Sequence, residues 1–164
     1  MTVDEQEKHY DRLFGAAFAG DTQTILLLLA GGADVHVEDD WVLIWAASPG
    51  RTETVKVLLA SGVNAHAWDD DALRQAVCAG HMETLQILAA HIFAPDAWRG
   101  RSRAEIETQA NALYDKIKGD NPAPERLHQA GTILADCALT CWEQIRPAPP
   151  KIQISPFPAQ PRPL

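Results

Sequence analysis

The sequence repeats itself every thirty residues. Leu13, Leu43 and Leu73 fall at one position of that period, and so do Ala16, Ala46 and Ala76. Gly20, Gly50 and Gly80 align, as do Thr24, Thr54 and Thr84, Leu28, Leu58 and Leu88, and Ala30, Ala60 and Ala90. Ile25, Val55 and Leu85 vary only in apolar shape, as do Leu27, Val57 and Ile87. A period of this length marks a solenoid or array, in which each unit leans on its neighbours.

Each unit has the same grammar. A short apolar helix, such as WVLIWAAS, ends at the glycine, where a residue without Cβ takes the left-handed turn. After two or three polar residues a second helix follows: TQTILLLLA, TETVKVLLA and METLQILAA. Its apolar residues recur at i, i+3 and i+4, the spacing of one buried face. GGADVHVEDD or SGVNAHAWDD then breaks the helix. So short a helix pair cannot bury its apolar face alone, but a stack of pairs forms a continuous core.

The segments AAFAGDTQTILLLLAGGADVH, AASPGRTETVKVLLASGVNAH and AVCAGHMETLQIL resemble ankyrin repeats. Gly80-His81 keeps the family's Gly-His, and Gly32-Ala33-Asp34-Val35 keeps its turn. Two departures stand out. The Thr-Pro-Leu-His opening is replaced by DDWVLIW and DDDALRQ, and the period is thirty, not the usual thirty-three. Both suit a shorter variant with a clipped hairpin finger. The resemblance covers roughly residues 10–95. It implies an all-α, ankyrin-type solenoid of about three repeats with a concave face, and binding of another protein without catalysis.

The expected organisation is an N-terminal cap over 1–10 and units near 11–40, 41–70 and 71–100. A helical hairpin cap over 101–146 and a Pro-rich extended tail over 147–164 follow. Thr2 with Glu5, and Ser102 with Glu105, read as capping boxes. The hairpin's first helix, about Ser102 to Lys118, carries the stripe Ile106, Ala110, Leu113 and Ile117, and Gly119 stops it. The second runs to about Ile145, with Leu127, Ala130, Leu134, Cys137, Cys141 and Ile145 inward. The tail holds seven of the 11 prolines. It favours extended conformations and suits either a docking arm with its PxxP segments or packing through Ile152, Ile154 and Phe157.

The net charge is −8, concentrated in residues 1–100, which hold 15 acidic and 6 basic side chains. That balance argues against nucleic acid, whose phosphates need Lys and Arg stripes. It suits a protein partner with a basic surface, or simply a solvated exterior. No apolar run reaches the roughly 18 residues of a membrane span. The charged, mixed-sign N-terminal stretch is unlike a secretory leader. A cytoplasmic protein, a monomer or weak oligomer, is expected.

The resemblance implies where contacts lie: the residues just before each glycine turn, Phe18, Ser48 and Cys78, and the fingers that lead into each unit. The finger positions are Glu38, Asp39, Asp40 and Trp41, then Trp68, Asp69, Asp70 and Asp71, then Trp98, of which Asp39, Trp41, Trp68, Asp69, Asp71 and Trp98 are the candidate contacts. A tryptophan there fits an interface anchor, since its rigid ring buries much apolar area, or a brace between fingers. Trp45 reads as core or groove floor, and Trp142 as packing of the cap. Asp40 and Asp70, just ahead of a helix, are expected to cap it. His36 and His66 are expected to stabilise the turns and not to bind metal. No G-x-S-x-G, P-loop or dinucleotide loop is present, so no catalytic residue or cofactor is expected. An inhibitor that occludes a partner protein is the favoured function. A scaffold that uses the tail as a second docking arm is the alternative.

Overall fold

The structure is a computed structural model that describes residues 3–147, with side chains from Lys8 onward. The readings of Thr2 and of residues 148–164, with Ile152, Ile154 and Phe157, lie outside the described residues. The helices are α1 (Val3–Ala19), α2 (Thr22–Ala30), the single turn α3 (Val37–Asp40), α4 (Val42–Ala47), α5 (Thr52–Ala60), α6 (Ala67–Ala79) and α7 (Met82–Ile92). A 3-10 turn (Pro95–Trp98) leads to α8 (Arg103–Gly119) and α9 (Pro124–Ile145). No strand occurs among the described residues.

The helices form two layers. Helices α1, α4 and α6 pack in series on one side, and α2, α5 and α7 on the other. Each repeat is one pair drawn from both layers. The periodic leucines lie between the layers: Leu13, Leu43, Leu58, Leu73 and Leu88 are fully buried. The repeated alanine ends each first helix. His81 N–H donates to Ala76 O at 2.7 Å and Arg51 N–H to Ala46 O at 2.8 Å, with Asp21 N–H on Ala16 O at 2.9 Å. This 6→1 bond requires a left-handed residue in the turn, which is why a glycine stands there. Gly50 has φ 73°, and a Cβ on it would lie 2.4 Å from the ring of His81.

Hydroxyls link the second-layer helices across repeats: Thr22 to Thr54 at 3.0 Å, and Thr52 to Thr84 at 3.1 Å. A second link lies over the glycine turns, where Arg51 Nε donates to Phe18 O at 2.9 Å. The hairpin continues both layers, with α8 against α6 and α9 against α7. It also supplies the missing next repeat's contacts. Arg126 of α9 covers Gly80 and donates to Cys78 O, as Arg51 does at Gly20 and Phe18 two positions of the array earlier.

The hairpin's helices start where expected, but Gly119 does not stop the first: it is the last residue of α8, Asp120 caps it, and the left-handed turn falls on Asn121 (φ 53°). Ser102 and Glu105 make a reciprocal capping box, and Pro124 opens α9, where a missing N–H costs nothing. Ile106, Ala110, Leu113 and Ile117 are all buried. The array's front edge stays open. Leu27 is 64% exposed, whereas its counterparts Val57 and Ile87 pack on the core because a repeat precedes them.

Candidate functional site: an aromatic face with acidic fingers

The fingers are built from an unusual backbone. Glu38, Asp39 and Asp40 have φ of 54°, 52° and 67°, and Trp68, Asp69 and Asp70 have 53°, 58° and 63°. Left-handed values cost a non-glycine residue roughly 1–2 kcal/mol each, so other contacts must hold them. Asp34 Oδ1 accepts from His36 N–H at 2.8 Å, and Asn64 Oδ1 from His66 N–H at 3.0 Å, which sets each turn. The His rings then clasp the end of the run: His36 Nδ1 lies 2.6 Å from Asp40 Oδ1, and His66 Nδ1 2.5 Å from Asp70 Oδ1. The turn-stabilising role expected of both histidines is the one their geometry shows.

Asp40 and Asp70 do not cap the helices that follow them. Their carboxylates bond elsewhere: Asp40 to His36 and Asn64, and Asp70 to His66 and Lys116. The left-handed run carries both carboxylates back into the fingers, where they are buried. Asp40 Oδ2 accepts from the Asn64 N–H of the next finger at 3.0 Å. Burial pushes the Asp70 carboxyl up, but the bonds from His66 and Lys116 outweigh it and leave its pKa below the usual value. The bond to Asp70 raises the pKa of His66.

This scaffold lines five rings along one face. Phe18 and Trp45 have centroids 5.9 Å apart, Phe14 and Trp45 6.2 Å, and Phe14 and Trp41 6.3 Å. Trp41 lies 5.9 Å from Trp45 and 6.1 Å from Trp68. The edge-to-face and tilted contacts stabilise each ring against its neighbours by about 0.5–1.5 kcal/mol beyond burial. Yet Phe18 is 51% exposed, Trp41 40%, Trp45 38% and Trp68 53%. Trp68 is also a brace, since its Nε1–H donates to Glu38 O at 3.2 Å. The exposed carboxylates of Glu38, Asp39 and Asp69 lie at the finger end. A cleft of about 450 Å³ opens there between Asp39, Asp40, Asn64, His66 and Trp68.

Four of the ten sequence-derived contact residues, Phe18, Trp41, Trp45 and Trp68, thus join in one face, with Asp39 and Asp69 at its edge. Ser48 and Cys78 share the repeat position of Phe18 but are half-buried and bring no ring. Burial pushes the Cys78 thiol up, which disfavours the thiolate a nucleophile needs. Asp71 is not at a finger tip: it lies in the first right-handed turn of α6, paired with Arg74 at 2.6 Å, and Arg74 also holds Asp120 at 2.6 Å. Trp98 stands apart as well. Its ring stacks on Phe93 at 5.9 Å and its Nε1–H donates to Ile92 O at 2.8 Å, so it closes the third repeat. Phe14 is the member that sequence reasoning missed. Its signal was the i, i+4 pair with Phe18, which parallels Trp41 with Trp45.

Among the described residues, no group of three or more His, Cys, Asp or Glu side chains could hold a metal ion. No described helix is long and apolar enough to cross a membrane. Stacked helix pairs, glycine-turn ladders and projecting fingers define an all-α helical-repeat solenoid of the protein-binding kind. The chain belongs to the ankyrin-repeat family, whose model matches three copies over residues 13–97. No curated protein matches it. Ankyrin repeats are protein–protein interaction modules.

Proposed function

We infer that the chain is a non-catalytic binding module that grips a basic segment of another protein across the five-ring face. The observation that carries this is the exposure of four large rings that pack on one another and on Phe14. Folding accounts for their mutual contacts but not for so much apolar area left in water. Interfaces favour tryptophan at their centres, and the carboxylates of Glu38 and Asp39 suit Lys or Arg at the rim. Cationic side chains also interact favourably with indole faces. The finer reading is an inhibitor that acts as a monomer by covering its partner's working surface. The thiols of Cys78, Cys137 and Cys141 are all free, which fits a reducing compartment such as the cytoplasm. The second reading, a scaffold, is favoured by the proline content of the tail.

Affinity capture from the native host, comparing the wild type with Trp45→Ala/Trp68→Ala, tests the proposal. A partner lost by the double variant, with unchanged melting temperature, supports it. Each ring at a hot spot costs about 2 kcal/mol or more, read in dissociation rate. Glu38→Lys with Asp39→Lys should slow association at low salt and matter little near 0.5 M. A partner held equally by every variant docks elsewhere and refutes the assignment. Loss of the partner on deletion of residues 148–164, with the aromatic variants still binding, would favour the scaffold.

A further inference from the structure

The two fingers share a backbone but differ in what holds them. In the first, the free oxygen of the buried carboxylate, Asp40 Oδ2, meets the backbone amide of Asn64, which its own repeat fixes in place. No third finger of this kind follows the second. Lys116 of α8 occupies that place, 46 residues beyond Asp70. Its Nζ lies 2.5 Å from Asp70 Oδ2 and 2.7 Å from Asp69 Oδ1. These two carboxylates follow directly on Trp68, and all three residues are left-handed. A non-glycine run of that kind persists only where its surroundings over-determine it. Without Lys116, the carboxylate of Asp70, 3% exposed, would keep His66 alone as its partner. An unpaired share of a buried charge favours opening of the turn.

The geometry points to Lys116 as a positioning residue for the aromatic face. Through Asp69 and Asp70 the hairpin holds the second finger's turn, and the turn holds Trp68 against Trp41. The hairpin, which lies beyond the matched repeats, is then part of the binding apparatus and not only the end of the stack. A change at Lys116 loosens the face from behind. Lys116 is a compact ammonium on a flexible stem, so the hold depends on α8 being docked and on the charge being present. The functional meaning rests on the aromatic face being the binding surface. The test below reads ring position with no partner present, so the two readings fail separately.

The full chain is compared with Lys116→Met, Lys116→Arg and, as a control on an exposed neighbour, Lys118→Met. Circular dichroism reports the coupling of the Trp41 and Trp68 indoles, and Trp68→Phe identifies that signal, since Trp41 also lies beside Trp45. Amide exchange is followed over residues 66–71 and 36–41. Lys116→Met should lose the coupled signal and speed exchange over 66–71 roughly tenfold, leaving 36–41 unchanged. Lys116→Arg should restore both, and Lys118→Met should change neither. An unchanged signal in Lys116→Met overturns the assignment. So does faster exchange spread evenly through α8 and α9, which marks a merely structural contact. Should Lys116→Met lose its helical signal, Asp69→Asn, which removes the exposed half of the contact, carries the same expected and opposing outcomes.

Discussion

Gly50 shows how closely single residues are constrained. Its φ of 73° disfavours any side chain, and a Cβ would meet the His81 ring. Gly50→Ala should therefore destabilise by about 1–3 kcal/mol, read in urea unfolding. Leu58, fully buried between its counterparts Leu28 and Leu88, should cost about 2–5 kcal/mol as alanine. The His66–Asp70 pair adds a dependence on pH. The raised pKa of His66 means its stabilisation is complete below 6.5 and is lost as pH rises through the folded value above that. The lowered pKa of Asp70 means its stabilisation is complete above 3.8 and is lost as pH falls through the folded value below that. Melting temperature should thus be flat between these limits and fall on both sides. Asp70→Asn should flatten both slopes, and a variant that retains them would place the titration elsewhere.

Among the elements, the repeat helices were legible in the sequence because their period and apolar spacing are local signals. The hairpin was equally plain: Ser102 with Glu105 marks a helix start and Ile106 to Ile117 marks a buried stripe. What it touches was not legible. Arg126 and Lys116 take over contacts made elsewhere by Arg51 and the Asn64 amide, and no spacing rule links residues in unrelated segments. The left-handed fingers were hidden for a related reason. Asp before a helix is a good cap in isolation, but His36 of its own finger and the Asn64 amide of the next turn Asp40 the other way. Five rings in one face also depended on stacking, since Phe14 and Trp41 are brought together by α1 against α4. Arg126→Met tests the hairpin's hold. A bond from a charged donor to Cys78 O contributes about 1.5–3 kcal/mol, so urea unfolding should show a loss of that order.

The molecule as a whole is tied across each repeat boundary, from Thr22–Thr54 at the front through Thr52–Thr84 to Arg126–Cys78 at the back. It should unfold in one transition, with tryptophan fluorescence and helical circular dichroism coincident. A separate early loss of either signal would mean that the hairpin and repeats melt independently. The same ties give the gene a freedom that most folds lack. The threonine joints before and after the middle unit are alike, so a tandem duplication of codons 41–70 repeats a junction of a kind already present. The added copy's Thr would meet its neighbour's Thr, its Asn64 amide would meet the Asp70 of the copy before it, and Lys116 would still find the last Asp pair. Such an insertion should fold and melt higher, as arrays gain from each added neighbour. It would also lay a second Trp-x-x-x-Trp pair beside the first. Lengthening the chain by recombination would therefore widen the grip without new invention.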